Sequence, residues 1–183
     1  MGGMAGLLPV WEGNAMEETL ACCFTGHRPA RLPWGEQEND PRCLAMKLQI
    51  SRALERAWGA GCRHFICGMA RGCDLYFAES VLALRQRRPE AILEAARPYE
   101  GQADGWLPQE QKRYRAILEQ CNFETVVQHR YDRGCMMRRN RYMVDRSVRL
   151  IAVYDGAPKG GTFNTLAYAM RQGLKIDILE VSP

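Results

Sequence analysis

Four stretches of the chain place glycine, arginine, hydroxyl or aromatic residues directly after short apolar runs. They are Gly26-His27-Arg28-Pro29, Gly68-Met69-Ala70-Arg71-Gly72-Cys73-Asp74, Pro98-Tyr99 with Gln102 and Trp106 beyond, and Asp155-Gly156-Ala157-Pro158-Lys159-Gly160-Gly161-Thr162. The last is the sharpest. Adjacent glycines let backbone N–H groups approach an anion with no Cβ in the way, and Thr162 opens a helix whose N-terminus carries partial positive charge. Thr165, one turn on, adds a second hydroxyl. This is phosphate-binding chemistry. The same residues also suit a plain glycine turn with Thr162 as helix N-cap, and short glycine motifs often match by chance. The loop alone leaves both readings open.

Gly68 and Gly72 make a second turn of this kind, with Arg71 to supply positive charge. Asp74 argues the other way, because a carboxylate at a helix start repels a phosphate; capping or pairing with Arg28 is its expected work. Arg28 follows an apolar run and a glycine, where a guanidinium has little structural use, so it is expected to touch a ligand. His27 beside it is either an acid–base group or a packed, hydrogen-bonded histidine. Arg138, Arg139 and Arg141 cannot share one helix face. Of that stretch Arg139 and Asn140 are the site candidates, and the other arginines are expected to be solvated. Asp155 either accepts from ribose hydroxyls or anchors the Gly156 turn.

The elements that must position these groups alternate along the chain. Leu20–Thr25, Arg63–Cys67, Ala91–Ala96, Glu124–Gln128, Arg149–Tyr154 and Lys175–Val181 read as strands, most of them continuous apolar runs of the kind buried on both faces. Cys43–Trp58 carries Met46, Ile50, Ala53, Leu54 and Ala57 at helical spacing and is stopped by Gly59 and Gly61. Leu75, Ala78 and Leu82 mark a second helix, Pro108 opens a third, Cys135–Asp145 is a fourth and Thr165–Gln172 a fifth. Strands alternating with helices predict an α/β, Rossmann-like three-layer sandwich: a mostly parallel sheet of about six strands with helices on both faces. In such a sheet ligands bind beyond the carboxyl ends of the strands, where all four stretches lie.

With 183 residues the chain has room for one such domain, expected over 19–183 behind a flexible extension at 1–18, in which Met16 could be the natural start. Its formal net charge of +4 permits an anionic ligand without announcing a nucleic-acid protein. No apolar run approaches the ~20 residues that span a bilayer, and the N-terminus lacks the features of a secretory signal. Eight cysteines show no C-x-x-C pair and no nearby second histidine, so neither metal nor disulfide framework is expected. They read as reduced thiols in a cytoplasmic protein, serving as small buried hydrophobes.

Three blocks in order carry a resemblance: Phe24-Thr25-Gly26-His27-Arg28-Pro29; Arg139-Asn140-x-x-Met143-Val144-Asp145; and Tyr154-Asp155-Gly156-x-x-x-Gly160-Gly161-Thr162-x-x-Thr165. Together they resemble the YpsA-like bacterial family of the SLOG (Smf/DprA–LOG) superfamily, from about Leu20 to the C-terminus. Cys67-Gly68-Met69-Ala70-Arg71-Gly72-Cys73-Asp74 is also similar to the S-G-x-A-R-G-I-D signature of the DNA-processing protein DprA. The resemblance implies a Rossmann-like fold and nucleotide-type ligands, an ADP-ribose-type molecule among them, with no cofactor assigned. Gly68, Arg71, Gly72, Asp74, Gly160, Gly161 and Thr162 fall on matching motif positions. LOG-type phosphoribohydrolases carry P-G-G-x-G-T-x-x-E, whereas here no acidic residue follows Gly161 until Asp177. Glu79 stands where DprA usually has histidine.

The expected function is therefore binding of a nucleotide or nucleotide-derived phosphate at the carboxyl edge of the sheet, as a sensor or regulatory protein. Two alternatives stay open. One is an N-glycosidic hydrolase with Glu79 or Asp74 as its carboxylate. The other is a binder of single-stranded nucleic acid through Arg28, Arg71 and Arg139. A homo-oligomer is compatible with all three.

Overall fold

A computed structural model describes residues 19–181. The expected extension at 1–18 and its alternative start lie outside the described residues. Six strands are β1 (Leu20–Thr25), β2 (Cys62–Cys67), β3 (Ile92–Arg97), β4 (Phe123–Val126), β5 (Arg149–Tyr154) and β6 (Lys175–Glu180). Five α-helices separate them: α1 (Pro41–Gly59), α2 (Cys73–Arg85), α3 (Pro108–Leu118), α4 (Cys135–Asp145) and α5 (Gly161–Arg171). A short 3₁₀ turn spans Pro29–Arg31.

All pairings are parallel, and the strand order is β4-β3-β2-β1-β5-β6. β1 is central, with Cys23 opposite Ile66 of β2 on one side and Leu150 of β5 on the other. Alternate side chains feed two cores. Cys22, Phe24, Phe65, Leu93, Ile151 and Val153 pack under α1, α2 and α3; Ala21, Cys23, Ile66, Ala96, Leu150 and Ala152 pack under α4 and α5. Phe24 stacks on Phe77 of α2 with ring centroids 4.5 Å apart. Burying each such ring contributes roughly 1.5–3 kcal/mol. The expected three-layer α/β architecture is what is found.

The element ends differ by a few residues, for local reasons. α1 begins at Pro41 rather than Cys43, because Asp40 caps it by accepting the Arg42 N–H at 2.8 Å. β4 stops at Val126, before Gln128, whose side chain turns to Arg138. α5 starts at Gly161, four residues before the expected Thr165; the chain enters the helix directly after Gly160, with Asn164 N–H donating to Gly160 O at 3.0 Å. Seven of the eight cysteines are buried and Cys121 is half-buried. Burial pushes the Cys23 thiol up to about 12 and Cys121 up to about 11, which leaves them unreactive near neutrality. Among the described residues no helix is long and apolar enough to cross a membrane.

Candidate functional site

Chain order reverses between β1 and β5: β2, β3 and β4 build outward on one side of β1, β5 and β6 on the other. Beyond the carboxyl ends of this pair lies a cavity of about 390 Å³. The end of β1 contributes Thr25, Gly26, His27 and Arg28; the β2 loop and α2 give Ala70 and Asp74; α4 gives Met136, Arg139 and Asn140; α5 gives Gly161 and Thr162. A second cavity of about 370 Å³ adjoins it, sharing Arg28, Ala30, Ala70 and Met136 and adding Arg71, Tyr99, Gln102 and Trp106.

The α5 side carries the open polar groups. Gly160 is the N-cap, at φ 91° and ψ 179°, a conformation that suits glycine. Gly161 is different: its φ is not positive, and a Cβ placed on it would meet nothing within 4 Å. The first N–H groups of a helix have no intrahelical acceptor, so those of Gly161, Thr162 and Phe163 are free to take an anion. Thr162 is buried rather than capping, with Oγ1 3.4 Å from His27 Nδ1. Thr165 does not reach the cavity; its hydroxyl donates back to Gly161 O at 2.8 Å.

His27 is 3% exposed, and its Nε2 lies 3.2 Å from the Asp155 N–H and 3.1 Å from Asp155 Oδ1. Burial lowers its pKa below that of a free imidazole by more than the Asp155 carboxylate raises it, so His27 is a neutral packing and hydrogen-bonding residue. Asp155 is committed as well. Burial pulls its carboxyl upward, yet the Ala157 N–H, His27 and Arg31 together hold it below the usual range. It accepts the Ala157 N–H at 3.1 Å, which closes the Gly156 turn, and pairs with Arg31 Nη2 at 2.5 Å.

On the β2 side, Asp74 neither serves as N-cap, a place taken by Gly72, nor pairs with Arg28. Its Oδ2 instead accepts the Ala70 N–H at 3.1 Å, holding the glycine turn closed. Burial raises its pKa; Arg139, Ala70 and Arg28 oppose that. Arg139 is 5% exposed, donates to Gly68 O, and lies 2.8 Å from Asn140 Oδ1 and 3.4 Å from Ala96 O. Gln102 also donates to Gly68 O, at 3.0 Å. Arg71 Nη2 is held by Glu36 at 2.6 Å and Glu110 at 2.5 Å. Arg28 is exposed, lines both cavities, and its guanidinium has no hydrogen bond or ion pair among the described residues.

A family model described as the YspA SLOG family (YpsA) matches residues 22–182. The chain belongs to this family. It is 26% identical over 142 residues to the UPF0398 protein YpsA of Bacillus subtilis, covering 74% of this chain and 78% of that one. The SPbeta prophage-derived protein YoqJ of Bacillus subtilis is 30% identical over 157 residues, 79% of this chain and 91% of the relative. Among solved structures, DNA processing protein A from Helicobacter pylori superposes with a TM-score of 0.58 at 16% identity, over 87% of this chain and 64% of that one. The structural-genomics protein TM1055 gives a TM-score of 0.51 at 13% identity, over 86% and 72% of the two chains. At those identities the likeness is one of fold.

For this YpsA-family chain, then, the sequence motifs converge on one edge of the sheet, with two exceptions. Thr165 turns inward, and Glu79 sits away from both cavities, pairing with Arg113 at 2.7 Å. The sequence reading missed Arg31, which fixes Asp155, and Met136, which floors both cavities. Pro29 was the one available signal for Arg31, since it turns the chain back over the β5 loop.

Proposed function

We propose that the protein binds a nucleotide or nucleotide-derived phosphate in the crevice between β1 and β5 and works as a cytoplasmic ligand sensor. In this reading the phosphate rests on the first N–H groups of α5, and Arg28 supplies the countercharge. One observation carries the proposal: an exposed guanidinium with no hydrogen bond or ion pair among the described residues lines the same cavity as an open helix N-terminus at the sheet's switch point. Gly161 supports it, because nothing among the described residues needs a missing side chain there. Membership of the SLOG family supports a nucleotide or nucleic-acid ligand in general terms.

The test is thermal stabilisation by AMP, ADP and ADP-ribose, compared between the wild type and Arg28→Ala. A ligand at 100 times its Kd stabilises by about 2.7 kcal/mol. Arg28 is exposed, so its replacement should leave the unliganded protein within about 0.5 kcal/mol of wild type while removing most of the ligand effect. Equal stabilisation of both proteins takes Arg28 out of the site, and none with any of the three overturns the reading.

DNA processing protein A from Helicobacter pylori binds single-stranded DNA. A similar role here is disfavoured by the arginines themselves. Of those lining the cavities, Arg31 is taken by Asp155, Arg71 by Glu36 and Glu110, and Arg139 by buried carbonyls. Among the described cavity-lining residues, Arg28 alone is left to meet a polyphosphate backbone.

A further inference from the structure

The second cavity offers different chemistry from the first. The first, at α5, is lined by glycines, hydroxyls and charged groups beside Phe24, Met136 and Met143, with no Tyr or Trp among its lining residues. The second is lined by Tyr99 and Trp106 together with Pro29, Ala30, Glu36 and Arg71. Both aromatic rings are set in place from outside. Trp106 makes an edge-to-face contact with Tyr114 at 5.2 Å and 76°, and Tyr99 makes one with Tyr131 at 5.5 Å and 74°. Neither Tyr114 nor Tyr131 lines the cavity. The loop carrying them is itself fixed: Gln102 donates to Gly68 O and accepts from Tyr114 Oη at 3.3 Å, and Gln111 donates to Ala103 O at 3.2 Å and Asp104 O at 3.0 Å.

An anion alone has no use for two oriented aromatic walls. A planar ring does, because base–aromatic stacking tolerates any π-face while edge groups choose among rings. Arg71 is spent on Glu36 and Glu110, but Glu36 uses one oxygen in that pair and is exposed, which leaves its second oxygen at the edge to accept from a ring N–H. Arg28 stands where the two cavities join and so lies between a ring in one and an anion in the other. Each cavity falls near the lower end of the range for small-molecule sites, roughly 300–1,000 Å³.

We infer that the cavity walled by Tyr99 and Trp106 takes the heteroaromatic base of a nucleoside phosphate whose phosphate lies at α5. This rests on the reading of the α5 cavity as an anion site. The ligand class is then narrower than phosphate esters at large. It is a molecule with a planar base at one end and a phosphate at the other, bridging Arg28.

Calorimetric titration with AMP, GMP, CMP, UMP and inorganic phosphate separates the two claims. Trp106→Ala should weaken the best-bound mononucleotide by about ten-fold or more, and inorganic phosphate by far less. Tyr99→Ala should act in the same direction, and Trp106→Phe should keep most of the affinity by preserving a ring. The intrinsic fluorescence quenched by that nucleotide in the wild type should be missing in Trp106→Phe, which is readable even if the alanine variants fold poorly. If mononucleotides bind Trp106→Ala and Tyr99→Ala as they bind the wild type, yet lose affinity in Arg28→Ala, the base lies elsewhere. The inference then falls while the anion site stands. If phosphate and mononucleotides bind the wild type equally well, no base is recognised and the inference also falls. If none of them binds, the anion site falls and takes the inference with it.

Discussion

Gly72→Ala tests whether the two loops meeting at the cavity are as interlocked as the geometry says. Gly72 has φ 84° and ψ −127°, a region that side-chain-bearing residues rarely occupy. Forcing alanine there costs about 1–3 kcal/mol. A Cβ would also stand 2.8 Å from His27 O and 2.9 Å from Pro29 Cδ. His27 O cannot easily retreat, because it accepts the Cys73 N–H at 3.2 Å. Overpacking of this kind adds about another 1–3 kcal/mol. The expected loss is therefore about 2–6 kcal/mol, a large part of the roughly 5–15 kcal/mol typical of a folded domain. With a urea m-value of 1–3 kcal/mol/M, the unfolding midpoint should fall by about 1 M or more.

Gly161→Ala is the matched control, since its Cβ meets nothing and its φ is ordinary. It should leave stability unchanged or raise it by up to about 1 kcal/mol. Nucleotide affinity should nonetheless drop about ten-fold, because the methyl stands where the anion approaches the backbone. A Gly72→Ala protein within 0.5 kcal/mol of wild type would refute the interlocking of the loops. A Gly161→Ala protein that binds nucleotide normally would move the phosphate off that amide.

Three further outcomes are expected. His27 has a folded pKa below the 6.5 of a free imidazole, so on acidification the unfolded chain takes up a proton that the folded protein refuses. Its contribution to stability is complete above pH 6.5 and is lost as pH falls below that value; urea melts from pH 7.5 downward should show this slope, flattened in His27→Gln. Affinity for single-stranded DNA should fall only shallowly with salt, with a log–log slope of about −0.7 to −1.4, since one free arginine faces the cavity; a slope beyond about −3 would mean that other cations are recruited. Purine riboside monophosphates should release no free base above a no-enzyme control, because Glu79 is tied to Arg113 outside the cavity and Asp74 holds the Ala70 N–H. Base release abolished by Asp74→Asn would make the protein an enzyme.

The fold was legible because the strands write their burial into the sequence. Leu20–Thr25 and Arg149–Tyr154 are largely apolar runs ended by polar turns, and they form the neighbouring strands β1 and β5 with those boundaries. The start of α5 was legible only in part: the glycine loop places a helix opening at Thr162, close to the observed Gly161, whereas the weak helix formers of Gly161-Thr162-Phe163-Asn164 show regular helix spacing only from Thr165. Partners were legible least of all. Arg71 meets Glu36 across 35 residues, Arg113 meets Glu79 across 34, and Arg139 meets Gly68 across 71. Composition and period carry no information about which charges the folded chain brings together. The expected Arg28–Asp74 pair failed for that reason: α4 brings Arg139 onto the β2 loop, and Asp74 turns to the Ala70 N–H.

Asp74 and Arg139 show how the site divides labour. Burial drives both toward their neutral forms, raising the carboxyl and lowering the guanidinium, against an attraction that only partly offsets it. Buried charges of this kind are poor stabilisers compared with apolar side chains of the same shape. What they supply is position. Arg139 draws Gly68 O and Ala96 O toward α4, and Asp74 holds Ala70 N–H, so the β2 loop is tied to β3, α2 and α4. Arg31 and His27 do the equivalent for the β5 loop through Asp155. Each of these groups has its hydrogen bonds and charge met within the protein, so an incoming anion would have to break a contact to use it. Among the described residues Arg28 and the first amides of α5 have no hydrogen bond or ion pair to break, and Arg28 acts on Asp74 only at longer range. Their unmet polarity costs little while solvent reaches it and becomes favourable once a phosphate replaces that solvent, which is why the ligand is placed there and not at the better-furnished Asp74–Arg139 pair.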